Sequence, residues 1–229
     1  MKLRVYNKQL NPVLWDGFKL KPEIKEKLIQ VAKDFYSQTE IVVEYEDILL
    51  LGSSANFNWT DKSDVDLHIL LDTSKLNMPE DYTKKFLDGL KYRWNAEHDI
   101  KIKNMKIEVY LQDIYEKNRA TGVYSLMDDE WKIKPNRQKI ELDKKLIKQK
   151  YEDLKKQINQ SISEENVEKM KKVMKSIVNM RDVGLDKGGE FSVENVVFKA
   201  LRYSDMLKKL KDSINSIYDK KMSIKEKRI

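Results

Sequence analysis

The sequence predicts an α+β fold: a small mixed β-sheet flanked by helices, followed by a basic, mainly helical C-terminal region. Three observations carry that prediction. Several long segments repeat their apolar residues at spacings of three and four, the period of an amphipathic helix. Between the first of these lie short apolar runs such as Ile48–Leu51 and the alternating stretch 64–71, which read as strands. The charge is also divided: residues 1–115 hold 17 Lys/Arg against 19 Asp/Glu, whereas 116–229 hold 28 against 19. A near-neutral domain over 1–115 and a basic helical domain over 116–229 follow from these patterns.

In chain order, residues 22–38 read as a helix. Pro22 suits the first turn, and Ile24, Leu28, Val31 and Phe35 form one stripe. Asp47–Leu51 reads as a buried strand ending at Gly52, Ser53–Asp61 as a loop or short helix, and Asp64–Leu71 as a second strand. Tyr82, Phe86, Leu90 and Trp94 define a helix over 80–97. Ile100–Lys103 and Lys106–Leu111 are strand candidates with Asn104-Met105 as the turn. Asp113 is positioned to cap a short helix at 114–119, and Gly122–Lys134 reads as irregular or extended. Beyond Pro135 the periodicity is helical: 139–160 with Leu142, Leu146, Tyr151, Leu154 and Ile158, then 165–180 with Val167, Met170, Val173, Ile177 and Met180. Gly184 and Gly188-Gly189 are expected breaks. Ser192 caps a further helix, and a last one covers about 205–219.

The composition excludes some chemistry. With no cysteine, disulfides, thiolate metal sites and a cysteine nucleophile are all ruled out. The first residues lack the apolar run of a signal peptide, and the longest apolar runs are far shorter than a membrane span, so a cytosolic protein is expected. The basic second half suits a polyanion, although Lys-rich helices also serve simply as soluble surface.

The chemistry is concentrated in Leu49-Leu50-Leu51-Gly52-Ser53-Ser54 and Ser63-Asp64-Val65-Asp66-Leu67-His68. Asp64 and Asp66 stand two apart on a strand, so both face one side while Val65 and Leu67 face a core. Two carboxylates so placed repel, and a divalent cation with oxygen ligands removes that repulsion. Gly52 allows close backbone approach to a ligand, and the Ser53 hydroxyl suits a phosphate oxygen. In Lys106–Leu111, Ile107 and Val109 face one way, and Glu108 faces the other with Lys106 and Tyr110. Glu108 is therefore a candidate third acid, against the plainer reading of a solvent-facing residue. A phosphate cradle beside paired acids is what phosphoryl or nucleotidyl transfer requires.

This pattern resembles the nucleotidyltransferase superfamily that includes DNA polymerase β, poly(A) polymerases and CCA-adding enzymes. That family has a hydrophobic strand, Gly-Gly or Gly-Ser, about ten residues, an acid-hydrophobic-acid motif, and a third acid on a later strand. Here ten residues separate Ser53 from Asp64, and Glu108 follows Asp66 by 42. The stretch from Pro22 to Leu111 resembles the family core. More narrowly, Gly52–Asn56, Ser63–His68 and Gly188-Gly189-Glu190-Phe191-Ser192 are similar to predicted nucleotidyltransferases of tailed bacteriophages, which would place the protein in the host cytoplasm. The resemblance implies transfer of an NMP from an NTP to an acceptor hydroxyl, with release of pyrophosphate. In the two-metal chemistry it implies, Asp64 and Asp66 would bind the Mg²⁺, or Mn²⁺ in its place, that grips the triphosphate, and with Glu108 they would bind a second ion that activates the acceptor hydroxyl, while Gly52 and Ser53 would hold the β and γ phosphates. A Glu rather than an Asp at the third position is a departure that leaves its role as ligand or general base open. The expected acceptor is a nucleic acid 3′ end, RNA such as tRNA. A protein or small-molecule hydroxyl is the alternative acceptor, and a non-catalytic nucleic-acid-binding module is the third reading.

Weaker signals complete the picture. Lys62, Lys103 and Lys106 are candidate phosphate-neutralising cations. His68 is expected beside the site or in the core. Arg93 and His98 have the spacing of an associated ribonuclease motif, with packing as the commoner explanation. Trp59, Tyr92, Tyr110 and Tyr124 are candidate base-stacking residues. Gly188–Ser192 is either a turn and cap or a phosphate-contacting loop, with Arg181, Lys187, Lys199 and Arg202 around it.

Overall fold

The computed structural model describes residues 7–137 and 142–224, and the chain divides into two compact units, Met1–Gln138 and Lys139–Ile229. The fold is α+β, as expected. The first unit runs through a small hairpin, β1 (Trp15–Asp16) and β2 (Lys19–Leu20), then α1 (Pro22–Gln38) and β3 (Tyr45–Leu51). After a 3₁₀ turn (Gly52–Ala55) come β4 (Val65–Leu71), a second 3₁₀ turn (Thr73–Leu76) and α2 (Glu80–Glu97). The last four strands are β5 (Lys101–Ile102), β6 (Met105–Asp113), β7 (Val123–Ser125) and β8 (Glu130–Ile133). The main sheet has the order β5-β6-β4-β3-β7-β8. Only β4 and β6 are parallel, and α2 supplies the crossover that a parallel pair needs.

Alternation makes the two faces of this sheet unlike. Ile48, Leu50, Val65, Leu67, Ile69, Ile107 and Val109 point one way and share a core with Leu28 and Phe35 of α1 and Trp94 of α2. Leu67 and Val109 are fully buried. The other face carries Leu49 and Leu51, which pack on Val123. Beside them lies a half-buried polar stripe of Asp66, His68, Glu108 and Tyr110.

Several local expectations are corrected. The units divide after Gln138 rather than after residue 115, because β7 pairs with β3 and β8 with β7, which ties 123–133 to the sheet. Lys103 and Asn104, both with positive φ (49° and 71°), form the β5–β6 turn, one residue earlier than expected. No helix forms at 114–119. There, β6 continues to Asp113 opposite Leu71, and Asp113 accepts hydrogen bonds from the Tyr115 amide and the Thr73 hydroxyl. On α2 the buried residues are Thr83, Leu87 and Trp94, while Tyr82 and Phe86 are exposed. A spacing of four drifts around a helix of 3.6 residues per turn, so the strict series 82, 86, 90, 94 does not stay on one face.

The second unit is helical: α3 (Lys144–Ser163), α4 (Val167–Gly188), a 3₁₀ turn (Gly189–Phe191), α5 (Val193–Tyr203) and α6 (Met206–Met222). Residues 139–141 of the expected first helix lie outside the described residues. Asp143, Asn166 and Ser192 cap α3, α4 and α5 through their side-chain oxygens. Ile147, Ile158, Met170, Ile177, Val197, Leu201 and Leu210 are buried, whereas Leu146 is exposed. Gly184 does not break α4. A side chain there would meet Glu194 Cβ at 2.5 Å and Ser192 Oγ at 2.8 Å, so this glycine lets the start of α5 lie close against α4. Among the described residues, no helix is long and apolar enough to cross a membrane.

Candidate functional site

Strand pairing sets the site. In the β3–β4–β6 ladder, Leu51 is opposite Asp66, and Asp66 is opposite Glu108. One step along, Leu49 is opposite His68, and His68 is opposite Tyr110. Residues directly opposite on neighbouring strands share a face. Glu108 therefore stands on the same side of the sheet as Asp66, away from the α1–α2 core. Asp64 immediately precedes β4 and is half-buried like Asp66.

Tyr110 lies among the acids. Its hydroxyl donates to Glu108 Oε2 at 2.9 Å. Burial, first, and then the charges of Glu108, Asp66 and Asp64 hold its phenol far above the usual range. The three carboxylates thus bear on one hydroxyl. The Tyr110 ring stacks on His68 at 4.6 Å, and the His68 Nδ1 lies 2.6 Å from Gln112 Oε1. Burial lowers the His68 pKa to about 4, against the hydrogen bond to Gln112 and with a smaller contribution from Lys91. A neutral imidazole results, so His68 supports Tyr110 and is no cation for a phosphate.

The loop after β3 is held against these acids. Gly52 has φ +71°, and a Cβ built there would stand 1.9 Å from Asp66 Oδ2. Only glycine lets the backbone turn here beside that carboxylate. Ser53 Oγ donates to Ser63 Oγ at 2.9 Å, and Ser63 Oγ accepts from the Thr60 amide, so both hydroxyls tie the loop to the residue before Asp64. Trp15 Nε1 donates to the Ser54 carbonyl at 2.8 Å, and Asn56 Nδ2 to Thr121 Oγ1 at 2.6 Å. Gly122 fits because a side chain there would lie 2.1 Å from the Ala55 carbonyl oxygen. The hairpin and the approach to β7, neither evident in the sequence, therefore brace the loop on both sides.

The donor set is all oxygen, from carboxylates on one face with backbone close beside them. In kind this fits a hard divalent cation such as Mg²⁺. Among the described residues, no three His, Asp or Glu side chains are gathered into a metal-holding group. The pair closest by register is Asp66 and Glu108.

The other nominated residues are dispersed. Lys103 is exposed in the β5–β6 turn, Lys62 is exposed in the loop before β4, and Lys106 Nζ reaches the Asn95 carbonyl at 3.4 Å. The cation over the site face is instead Lys91 of α2, 4.8 Å from the centre of the Tyr110 ring and paired with Asp88. In sequence Lys91 looks like any lysine on a helix flank. Its position depends on α2 following the edge of β6, where the Asn95 side chain bonds both the amide and the carbonyl of Val109. Arg93 is exposed, and His98 packs on Trp94 at 4.0 Å, so the two form no shared site. Trp59 donates to the Gln9 carbonyl, Tyr124 is buried against Trp15 and Trp131, and Tyr92 is exposed. No protein-family model, curated protein or solved structure matched the chain in the three comparisons made.

Proposed function

We propose that the first unit is a divalent-metal-dependent nucleotidyltransferase of the DNA polymerase β type. It moves an NMP from an NTP to an acceptor hydroxyl, at the 3′ end of a nucleic acid. One observation carries the reading: Asp66 and Glu108 are register partners on parallel neighbouring strands, with Gly52 backbone pressed against Asp66. Carboxylates fixed by a ladder on the face opposite the core, beside a braced Gly-Ser turn, suit placement of a triphosphate and an acceptor.

In this reading Asp64, Asp66 and Glu108 hold Mg²⁺, and Gly52 and Ser53 contact the β and γ phosphates. When bound, Mg²⁺ supplies charge neutralisation at the phosphates and acidifies the acceptor hydroxyl. Glu108 takes the proton of that hydroxyl, and Tyr110 fixes the carboxylate that receives it. The acceptor oxygen bonds to the α-phosphorus, the α–β anhydride breaks, and pyrophosphate leaves with the anhydride electron pair. Lys91 offsets negative charge on the same face.

The test is to incubate the protein with each α-labelled NTP, Mg²⁺, total RNA and a protein extract. Labelled RNA is the expected result. Label confined to protein or to a small molecule would reassign the acceptor. No labelling and no pyrophosphate with any NTP or acceptor would reject the enzymatic reading.

A further inference from the structure

The groups on the acid-bearing face follow a fixed order across the sheet. The Gly52 turn ends β3, Asp66 stands on β4, and Glu108 stands beyond it on β6. The turn assigned to the triphosphate and the outer edge of β6 therefore lie on opposite flanks of the acids, with neighbouring strands about 4.8 Å apart. The pairing of β5 with β6 stops at Lys106. At Val109 that outer edge is met by α2, whose Asn95 side chain bonds the Val109 amide and carbonyl.

Lys91 precedes Asn95 by one turn on the same flank of α2. Trp94 anchors α2 in the core on the other face of the sheet, yet the Lys91 ammonium lies 4.8 Å from the centre of the Tyr110 ring. Its stem thus passes the edge of β6 and carries the charge to the acid-bearing face. Tyr110 links that charge to the acids. Its hydroxyl donates to Glu108 Oε2 at 2.9 Å, and its ring is held by stacking on His68 at 4.6 Å. One rigid side chain therefore spans the gap between the Glu108 carboxylate and the Lys91 ammonium. Lys91 also donates to Asp88 Oδ1 at 2.9 Å, and the Asp88 side chain is 57% exposed. An exposed pair within one helix contributes little, and an ammonium has three donors, so Lys91 can take a further acceptor beside Asp88.

We propose that Lys91 binds a phosphodiester of the acceptor strand, close to the hydroxyl that reaches Glu108. The inference rests on the nucleotidyltransferase reading and adds the acceptor side of that site. The triphosphate occupies the other flank, against Gly52 and Ser53, so the phosphate that meets Lys91 belongs to the acceptor. A nucleic acid end carries a phosphate at a fixed number of bonds from its 3′ hydroxyl, whereas a Ser, Thr or Tyr hydroxyl carries none. Lys91 thereby selects a nucleic acid end.

The experiment uses the full chain with Mg²⁺ and a fluorescein-labelled single-stranded RNA in two forms. One has natural linkages, and the other has an uncharged methylphosphonate at its last linkage. Lys91→Met keeps the stem over Tyr110 and removes the charge, and Lys91→Arg keeps the charge. Lys33→Met and Lys85→Met, at exposed lysines of α1 and α2, are the controls. The parent should bind the methylphosphonate RNA about tenfold more weakly than the natural one. Lys91→Met should bind natural RNA about tenfold more weakly than the parent and lose nothing more with the methylphosphonate. Its salt slope should fall by about 0.7, the value for one phosphate contact on a single strand. Lys91→Arg should retain the discrimination, and the controls should shift binding by about twofold at most. In extension of the RNA, Lys91→Met should raise the KM for RNA and leave the KM for NTP unchanged. Discrimination in Lys91→Met equal to that of the parent would overturn the proposal. So would a parent that binds the two RNAs equally or binds neither, or a rise in the KM for NTP in place of that for RNA. Extension by the parent with unchanged discrimination in Lys91→Met rejects the role of Lys91 and leaves the enzymatic reading intact. Discrimination that depends on Lys91, without extension by any NTP, rejects the enzymatic reading and leaves Lys91 as a strand contact.

Discussion

The two faces of the β4–β6 pair share a backbone and differ in everything else. One face carries Val65, Leu67, Ile107 and Val109 against α1 and α2, at 3% exposure or less. The other carries Asp66, His68, Glu108 and Tyr110, all half-buried, with the Tyr110 hydroxyl bonded to Glu108 and its ring stacked on His68. The comparison teaches how a fold affords a crowd of negative charge. The apolar face fixes strand position and register through burial, worth about 25 cal/mol per Å². The same register then delivers carboxylates to the opposite side, where the apolar face sets their position. Stability and chemistry should therefore be separable by mutation on alternate residues of one strand.

The largest separation is expected from Asp64→Ala and Asp66→Ala. Each should reduce Mg²⁺-dependent pyrophosphate release by about 10³-fold or more, while the denaturation midpoint stays level or rises as like charges are removed. One residue along, Leu67→Ala should do the reverse, destabilising by about 2–5 kcal/mol in denaturant unfolding with turnover per folded molecule retained. If Asp66→Ala unfolds the protein while Leu67→Ala does not, the two faces have been misassigned.

A smaller effect, about 2–3 kcal/mol, is expected from Gly52→Ala, which combines an unfavourable positive φ with a clash. Because the clash is with Asp66 Oδ2, adding Asp66→Ala should recover part of that loss. Additive effects in this cycle would show that the two residues do not touch. The smallest is Tyr110→Phe. Losing its hydrogen bond to Glu108 should cost about 1 kcal/mol of stability and lower turnover more than it changes the KM for NTP, as loss of positioning does.

How much of this could be read from sequence follows the range of the interactions. The α1 limits were legible because Pro22 and one apolar stripe are local signals. The facing of Val65, Leu67, Ile107 and Val109 followed from alternation alone. The exact opposition of Asp66 and Glu108, 42 residues apart in sequence, was not legible, since register is decided by pairing across the crossover. Lys91 was missed for the same reason. β7 has three residues, too few to show a period, and it is defined by the edge of β3 that it covers. In the second unit, Gly184 read as a break because glycine weakens helices in isolation, while its actual role depends on the approach of α5. Local chemistry was visible where a few adjacent residues carry it, and the bracing of the Gly52–Ala55 turn was hidden because Trp15 and Gly122 come from either end of the unit.

The most direct test of the account is crystallographic. The protein would be crystallised with Mn²⁺ and an NTP analogue that resists cleavage between its α and β phosphates, and anomalous scattering would locate the ion. The account predicts a Mn²⁺ peak on the face of β4 that bears Asp66, with carboxylate oxygens of Asp64 and Asp66 as ligands and the triphosphate against Gly52 and Ser53. A bound analogue with its ion elsewhere, or no ion on that face at saturating Mn²⁺ and nucleotide, would contradict it.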